Sequence, residues 1–399
     1  MTEDTTWLMQ GMPPAGDAVV GVHNWSTYPH LRWGFLHTRE VVPTARIERG
    51  AGPVLELPRE ERDLGGIAFD WAGGRLTVDE VVRRGFTDGF LVLHRGRIVA
   101  EHYGPGMTPN TTHLLQSVSK SIAGTVVGVE IGNGLLEPGT LVTDVIDELR
   151  GTSFEGATLR DVLDMRTGTA YDETYDDPQA DVFLTEVLAG WRSYGTEPPV
   201  ENVYRQIAML HNARPHGERF DYRSILTELL GWILERATGV RYPELVSRDL
   251  WSQIGAEHDA DITIRHGVTL PDGGICVTLR DLARFALLHL RDGQAHGRQV
   301  VPREWIEDTR FGDDAARAAF ARSPDDEASF PGGLYRNQWW VIEPGVEYSG
   351  LGIHGQFAYV HVLADVVCVK LSTWPTPLDD DLGDSTLAAF RAIATALAG

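Results

Sequence analysis

The sequence predicts an α+β fold, an antiparallel sheet flanked by helices with an inserted, mostly helical domain. Three observations carry that expectation. Strand-like runs lie near both ends of the chain, helical periodicity fills its centre, and a helix closes it. At 399 residues with 42% hydrophobic content, the chain suits one large domain or two ordinary ones with a full core.

The elements follow in order. Residues 1–65 are rich in Pro, Gly and Trp with weak periodicity and read as an extended segment packed on the main domain. Phe90 to Tyr103 forms two apolar runs around Arg95-Gly96, a β-hairpin pattern. From His113 to Ile131 apolar residues recur at helical spacing, with Gly134 as a stop. Leu159–Met165 and Ile225–Leu250 are amphipathic, and Val277–Leu290 reads as a further helix. Asn337–Ile342, Gly355–Leu363 and Val366–Ser372 read as successive strands, and Leu382–Leu397 as the closing helix. This divides the chain into a discontinuous sheet domain over 66–140 and 266–399, and a helical domain over 141–265.

A formal charge of −22 repels phosphate backbones and anionic lipid, so neither nucleic acid nor membrane is an expected partner. Met1-Thr2-Glu3-Asp4 has no basic leader character and no run approaches a spanning helix, which predicts a cytoplasmic protein. The two cysteines, Cys276 and Cys368, sit in apolar runs and read as reduced core residues. No His-Glu-x-x-His, Cys-x-x-Cys or other zinc-like spacing is present, so no metal or cofactor is expected. Only two lysines occur, Lys120 and Lys370, against many arginines. Lysine alone of the two can give up its proton when buried, so each deserves scrutiny.

Ser117-Val118-Ser119-Lys120 begins the helix after the hairpin. A spacing of three puts both side chains on one helix face. A serine hydroxyl needs a base to become a nucleophile, and a desolvated lysine can be that base. The helix N-terminus adds amides that stabilise an anionic oxygen. The same four residues also fit a helix-capping serine followed by a surface lysine. Context favours the nucleophile, because a hairpin precedes, an apolar helix follows, and no Gly-x-Ser-x-Gly elbow exists.

Further motifs make the chain resemble the superfamily of β-lactamases, penicillin-binding proteins and DD-peptidases, whose sites combine Ser-x-x-Lys, Tyr-x-Asn and Lys-Thr-Gly. Tyr222-Arg223-Ser224 stands where Tyr-x-Asn belongs, with Ser for Asn. His354-Gly355-Gln356 stands for Lys-Thr-Gly. These departures, and the missing Glu-x-x-Leu-Asn, point to the class C and esterase branch. Within it the chain is most similar to the 6-aminohexanoate-dimer (nylon-oligomer) hydrolases, through His113–Ser121, Leu163-Asp-Met165, Tyr171–Tyr175, Gln338-Trp-Trp340 and Ser349–Gln356.

The resemblance implies a β-lactamase-like fold and a serine hydrolase of small linear amides or esters. Short-chain esterase activity and a non-turnover sensor remain alternatives. It implies Ser117 as nucleophile, Lys120 as base and Tyr222 as proton donor to the leaving group. The backbone amides of Ser117 and Ile353 would form the oxyanion hole. Tyr175 would contact the leaving nitrogen, Trp191 would close over substrate, His354 would line the site, and Glu186 would meet a substrate ammonium. It also implies a homodimer. Read without the resemblance, Tyr175 and Glu186 fit hydrated loop residues equally well, and Trp191 fits the core.

Overall fold

The computed structural model describes residues 5–193, 197–323 and 330–399. Met1–Asp4, read above for a leader, lie outside them. Its centre is a seven-stranded antiparallel sheet. The strands are β1 (Thr87–His94), β2 (Arg97–Tyr103), β3 (Leu334–Arg336), β4 (Trp339–Glu343), β5 (Glu347–Gly352), β6 (Gln356–His361) and β7 (Val366–Ser372), in the spatial order β3-β4-β5-β6-β7-β1-β2. Every residue of β1 and β7 is buried, because both sheet faces are covered. On one face lies the last helix, whose Phe390 meets Phe90, Phe357 and Tyr359. The hairpin turn at Arg95-Gly96 has φ of 53° and 75°, the double left-handed turn that suits twisted strands.

The opposite face carries α1 (Val118–Gly132) and the helix Leu279–Leu290. Side chains would hold α1 too far from the sheet, and glycines remove them. A Cβ on Gly350 of β5 would lie 2.9 Å from Ser121 Oγ, and one on Gly124 of α1 would overlap the Asn337 carbonyl oxygen. Beyond α1 stands α2 (Ile225–Thr238), packed against it. Gln338, in the left-handed turn between β3 and β4, braces these layers. Its carbonyl accepts from Ser121 Oγ at 2.9 Å, its side-chain oxygen accepts from Thr227 Oγ1 at 2.6 Å, and its amide donates to Leu163 O at 2.9 Å.

A second sheet joins distant segments in the order Thr44–Ile47, Ala260–Arg265, Ile275–Thr278, Thr112–Leu114, with Val268–Thr269 on its side. Three sequence expectations change here. His113 and Leu114 are strand, pairing with Val277 and Cys276, so the helix begins only at Val118. Val277 is likewise strand, and the Thr278 side chain caps the helix that follows. The helix expected over Ile225–Leu250 stops at Gly239, whose φ of 70° ends it in the left-handed region, and shorter turns follow. The N-terminal segment carries Trp25, Leu31 and Phe35 into a second apolar cluster with Trp191 and Leu270. Among the described residues no helix is long and apolar enough to cross a membrane.

Close packing of α1 on a backbone carbonyl has a measurable consequence. Gly124→Ala is expected to lower stability by about 1–3 kcal/mol, because the Asn337 main chain cannot rotate away as a side chain would. The denaturant midpoint should fall with unchanged slope. A midpoint equal to that of the native sequence would show that α1 has room to shift.

Candidate active site

The turn before α1 is pinned at both ends. Leu115 N donates to Ile275 O at 2.8 Å, and Ser119 Oγ accepts from Ile275 N at 3.2 Å. Between them Gln116 takes a φ of 47°, which kinks the chain into the helix and leaves Ser117 half-buried at the N-cap position. Ser117 makes no side-chain capping bond. Its Oγ instead accepts from Lys120 Nζ at 2.8 Å. Lys120 is only 1% exposed. The capping serine and surface lysine of the alternative reading are therefore both absent.

Lys120 is enclosed by acceptors. Nζ donates to the Asp272 carbonyl at 3.0 Å, lies 3.8 Å from Asp272 Oδ2, and sits 5.2 Å from the Tyr222 ring centre. Burial alone would lower its pKa. The neighbours Tyr222, Asp272 and Glu173 outweigh burial and hold Lys120 above the ordinary lysine range. The sequence expectation that desolvation lowers this group named the largest influence but missed the acids that reverse it.

Tyr222 lies three residues before the first residue of α2. Its ring stacks on Trp340 at 5.4 Å and meets Tyr335 edge-on at 6.1 Å, which fixes its direction. Burial raises the phenol, Lys120 and a hydrogen bond with Ser117 oppose that, and the net direction is upward. Ser224, in place of the asparagine of related motifs, has a defined partner. Its amide donates to Glu173 Oε2 at 2.9 Å, and its hydroxyl donates to Glu173 Oε1. Tyr175 Oη also donates to Glu173 Oε1, at 3.0 Å. Burial, with Glu173 next, raises Tyr175 well above its usual value, so it remains a donor.

Strand β5 ends beside the nucleophile because Gly352 has no side chain. A Cβ there would lie 2.7 Å from Leu115 O. Ile353 follows at once. Among the described residues, neither the Ser117 nor the Ile353 backbone N–H donates to an acceptor. His354 differs. Its backbone N–H donates to Pro377 O at 2.8 Å, and its Nδ1 lies 2.7 Å from Trp374 O. Burial pushes this imidazole down to about 4, so it is neutral, and its ring packs edge-on against Phe35 at 5.5 Å.

Trp191 is buried, with its indole N–H donating to Thr263 Oγ1 at 3.1 Å and its ring edge-on to Trp25 at 5.2 Å. A Cβ on Gly273 would lie 3.4 Å from the Trp191 ring, so Trp191 backs the loop that offers Asp272 to Lys120. Glu186, on the helix Asp181–Leu188, is ion-paired with Arg192. Its carboxylate therefore already has a cation. Lys370, the other lysine, lies in β7 between β6 and β1, and burial lowers it to about 7. It is a central strand residue, and its amine donates to Ser372 Oγ and, at 3.4 Å, to Gly85 O.

Glu173, Asp272 and Glu228 were missed by the sequence reading. Glu173 alternates with Tyr175 in an extended stretch, and that period of two is a signal for a shared face. Asp272 lies in Leu-Pro-Asp-Gly-Gly, which reads only as a turn. Glu228 lies within a helical pattern, where an acid reads as a solvated position.

The beta-lactamase family model matches residues 78–393 of this chain. Over 374 residues the chain is 37% identical to the 6-aminohexanoate-dimer hydrolase of Paenarthrobacter ureafaciens, covering 92% of this chain and 91% of the relative. It is 25% identical over 323 residues to penicillin-binding protein 4 of Amycolatopsis lactamdurans, covering 70% of this chain and 76% of that one. A solved protein of Bacillus anthracis, itself assigned only provisionally as a 6-aminohexanoate-dimer hydrolase, superposes with a TM-score of 0.87 at 25% identity, covering 97% and 99% of the two chains.

The acids around Lys120 set a pH dependence. Chemistry that needs the neutral amine accelerates as pH rises and the ammonium loses its proton. Glu173→Gln removes one charge that stabilises the ammonium, so the acid limb of kcat/KM should move to lower pH. A limb that stays in place would show that Glu173 acts on Tyr175 and Ser224 alone.

Proposed function

This chain belongs to the beta-lactamase family, and from that premise we propose that it hydrolyses small linear amides and short esters through an acyl-enzyme on Ser117. One observation carries the reading. The Ser117 hydroxyl is within 2.8 Å of a buried lysine amine and is not used as a helix cap. In the proposed reaction, Lys120 in its neutral form takes the Ser117 proton as Oγ attacks the carbonyl carbon. The Ser117 and Ile353 amides receive the developing oxyanion. The proton passes to the leaving group through Tyr222, the acyl–Ser117 ester forms, and the leaving amine or alcohol departs. Water then attacks the ester, with the same groups moving its proton.

The substrate class follows from the relatives. A protein 37% identical is named a 6-aminohexanoate-dimer hydrolase, so the linear dimer of 6-aminohexanoate is the first substrate to test. Two contacts favour a second reading, in which esters are the better substrates. The Tyr175 hydroxyl is already engaged by Glu173, and Glu186 is engaged by Arg192. An amide leaving nitrogen would have to draw Tyr175 from Glu173, and a substrate ammonium would have to compete with a guanidinium. An ester asks for neither.

Two substitutions test these readings. Ser117→Ala should lower kcat/KM on p-nitrophenyl acetate by about 10⁴-fold or more, as loss of a nucleophile does elsewhere. Activity retained in that variant would sink the assignment, and a single burst without turnover from the native protein would favour the sensor. Tyr175→Phe should cut cleavage of the linear dimer by about tenfold and leave the ester rate within about threefold. Equal losses on both substrates would remove Tyr175 from leaving-group protonation.

A further inference from the structure

Behind Lys120 lies an acid pair that the reaction above does not use. Glu228, on α2, is 1% exposed, and Asp272 is also buried. The Asp272 backbone N–H donates to Glu228 Oε1 at 3.0 Å, which seats one carboxyl directly against the other residue. The remaining oxygens tell the rest. Glu228 Oε2 and Asp272 Oδ1 are both buried and have no donor. Two buried acceptors on adjacent acids are costly to leave so, since a buried carboxylate oxygen without a donor keeps its full desolvation penalty. A single proton on Glu228 supplies the missing donor for both.

We propose that Glu228 and Asp272 share one proton and one negative charge, and that Glu228 is a positioning residue holding Asp272 against Lys120. This rests on the assignment of Ser117 and Lys120 above. The electrostatics agree with it. Burial first, then Asp272, push Glu228 well above the usual carboxylate range. The groups facing the pair are Lys120 from α1, Tyr171, Glu173 and Tyr175 from the extended stretch, Glu186 from the helix Asp181–Leu188, Tyr204, and Tyr242 after α2. Lys120 is the one cation among them. With both Glu228 and Asp272 ionised, and Glu173 beside them, Lys120 would be locked as ammonium. Retaining a proton on Glu228 limits the pair to one charge, which leaves the amine within reach.

The pair acts on Lys120 through Asp272, whose carbonyl and carboxylate both face Nζ. It touches no substrate atom.

The test is the pH profile of kcat/KM on p-nitrophenyl acetate, with the full chain. Glu228→Gln keeps the donor and the charge count, so its acid limb should stay within about 0.3 pH unit of the native position. Adding Asp272→Asn removes the last charge of the pair, and the limb should then fall by about one unit. Glu228→Leu leaves Asp272 Oδ1 unpaired, and kcat/KM should drop about tenfold below the Glu228→Gln value with little change in KM. A limb that already falls by a unit in Glu228→Gln would mean that Glu228 is ionised, and would overturn the proposal. A double variant with an unmoved limb would do the same. Infrared difference spectra provide a reading independent of catalysis and of any misfolded variant. A protonated-carboxyl band should appear in the native protein at neutral pH and vanish in Glu228→Gln, and its absence from the native spectrum also overturns the proposal. Failure of the Ser117 assignment looks different, because it shows as activity in Ser117→Ala while the infrared band is unaffected.

Discussion

A lysine without water must either give up its proton or be surrounded by acids, and the site is organised around that constraint. Lys120 lies in the first turn of a helix with glycine-smoothed contacts, so the amine cannot reach solvent. Its charge is met by acids from two directions, the stretch holding Glu173 and the loop presenting Asp272, and its amine faces the Tyr222 ring from a third. Each of those is held in turn. Glu173 is hydrogen-bonded by Ser224 and Tyr175, Asp272 donates its backbone N–H to Glu228, and the Tyr222 ring packs on Trp340 and Tyr335. Removing the lysine would leave Asp272 and Glu173 without the buried ammonium they both face, so the arrangement is interdependent rather than additive.

Legibility from sequence divides along the range of the interactions. The hairpin at Arg95-Gly96, the β7 run and the closing helix were readable because their patterns are local and their turns carry left-handed residues. The Ser117–Lys120 spacing was readable for the same reason, since one helical turn brings the two together. His113 and Leu114 were misread because their strand partner is Ile275–Thr278, far along the chain, and apolar residues alternate there over too few positions to separate strand from helix. Of the acids around Lys120, Glu173 carries one local signal, its alternation with Tyr175, whereas nothing local distinguishes Asp272 or Glu228 from a hydrated carboxylate. The lowered pKa expected for Lys120 failed on that point alone. Desolvation was foreseen, and the compensating charges were not.

The departures from familiar motifs also gain a physical account. Ser224, where an asparagine was expected, spends its hydroxyl and its amide on Glu173, so the position serves a neighbouring acid. His354, where a lysine was expected, is neutral and packed between Phe35 and the Trp374 carbonyl, and offers no charge to a substrate carboxylate. The N-terminal segment, through Phe35 and through Trp25 against Trp191, thus reaches the rear of the site from a stretch whose sequence shows little regularity.

The burial of both lysines reaches beyond catalysis. Lys120 and Lys370 are each 1% exposed, and they are the only two in the chain. The native surface therefore offers no lysine amine. Acylating labels, aldehyde cross-linkers and amine-coupling supports would find these two positions only after the core opens. Modification of either lysine is in effect a chemical clock for unfolding, written into the sequence by the scarcity of one residue type.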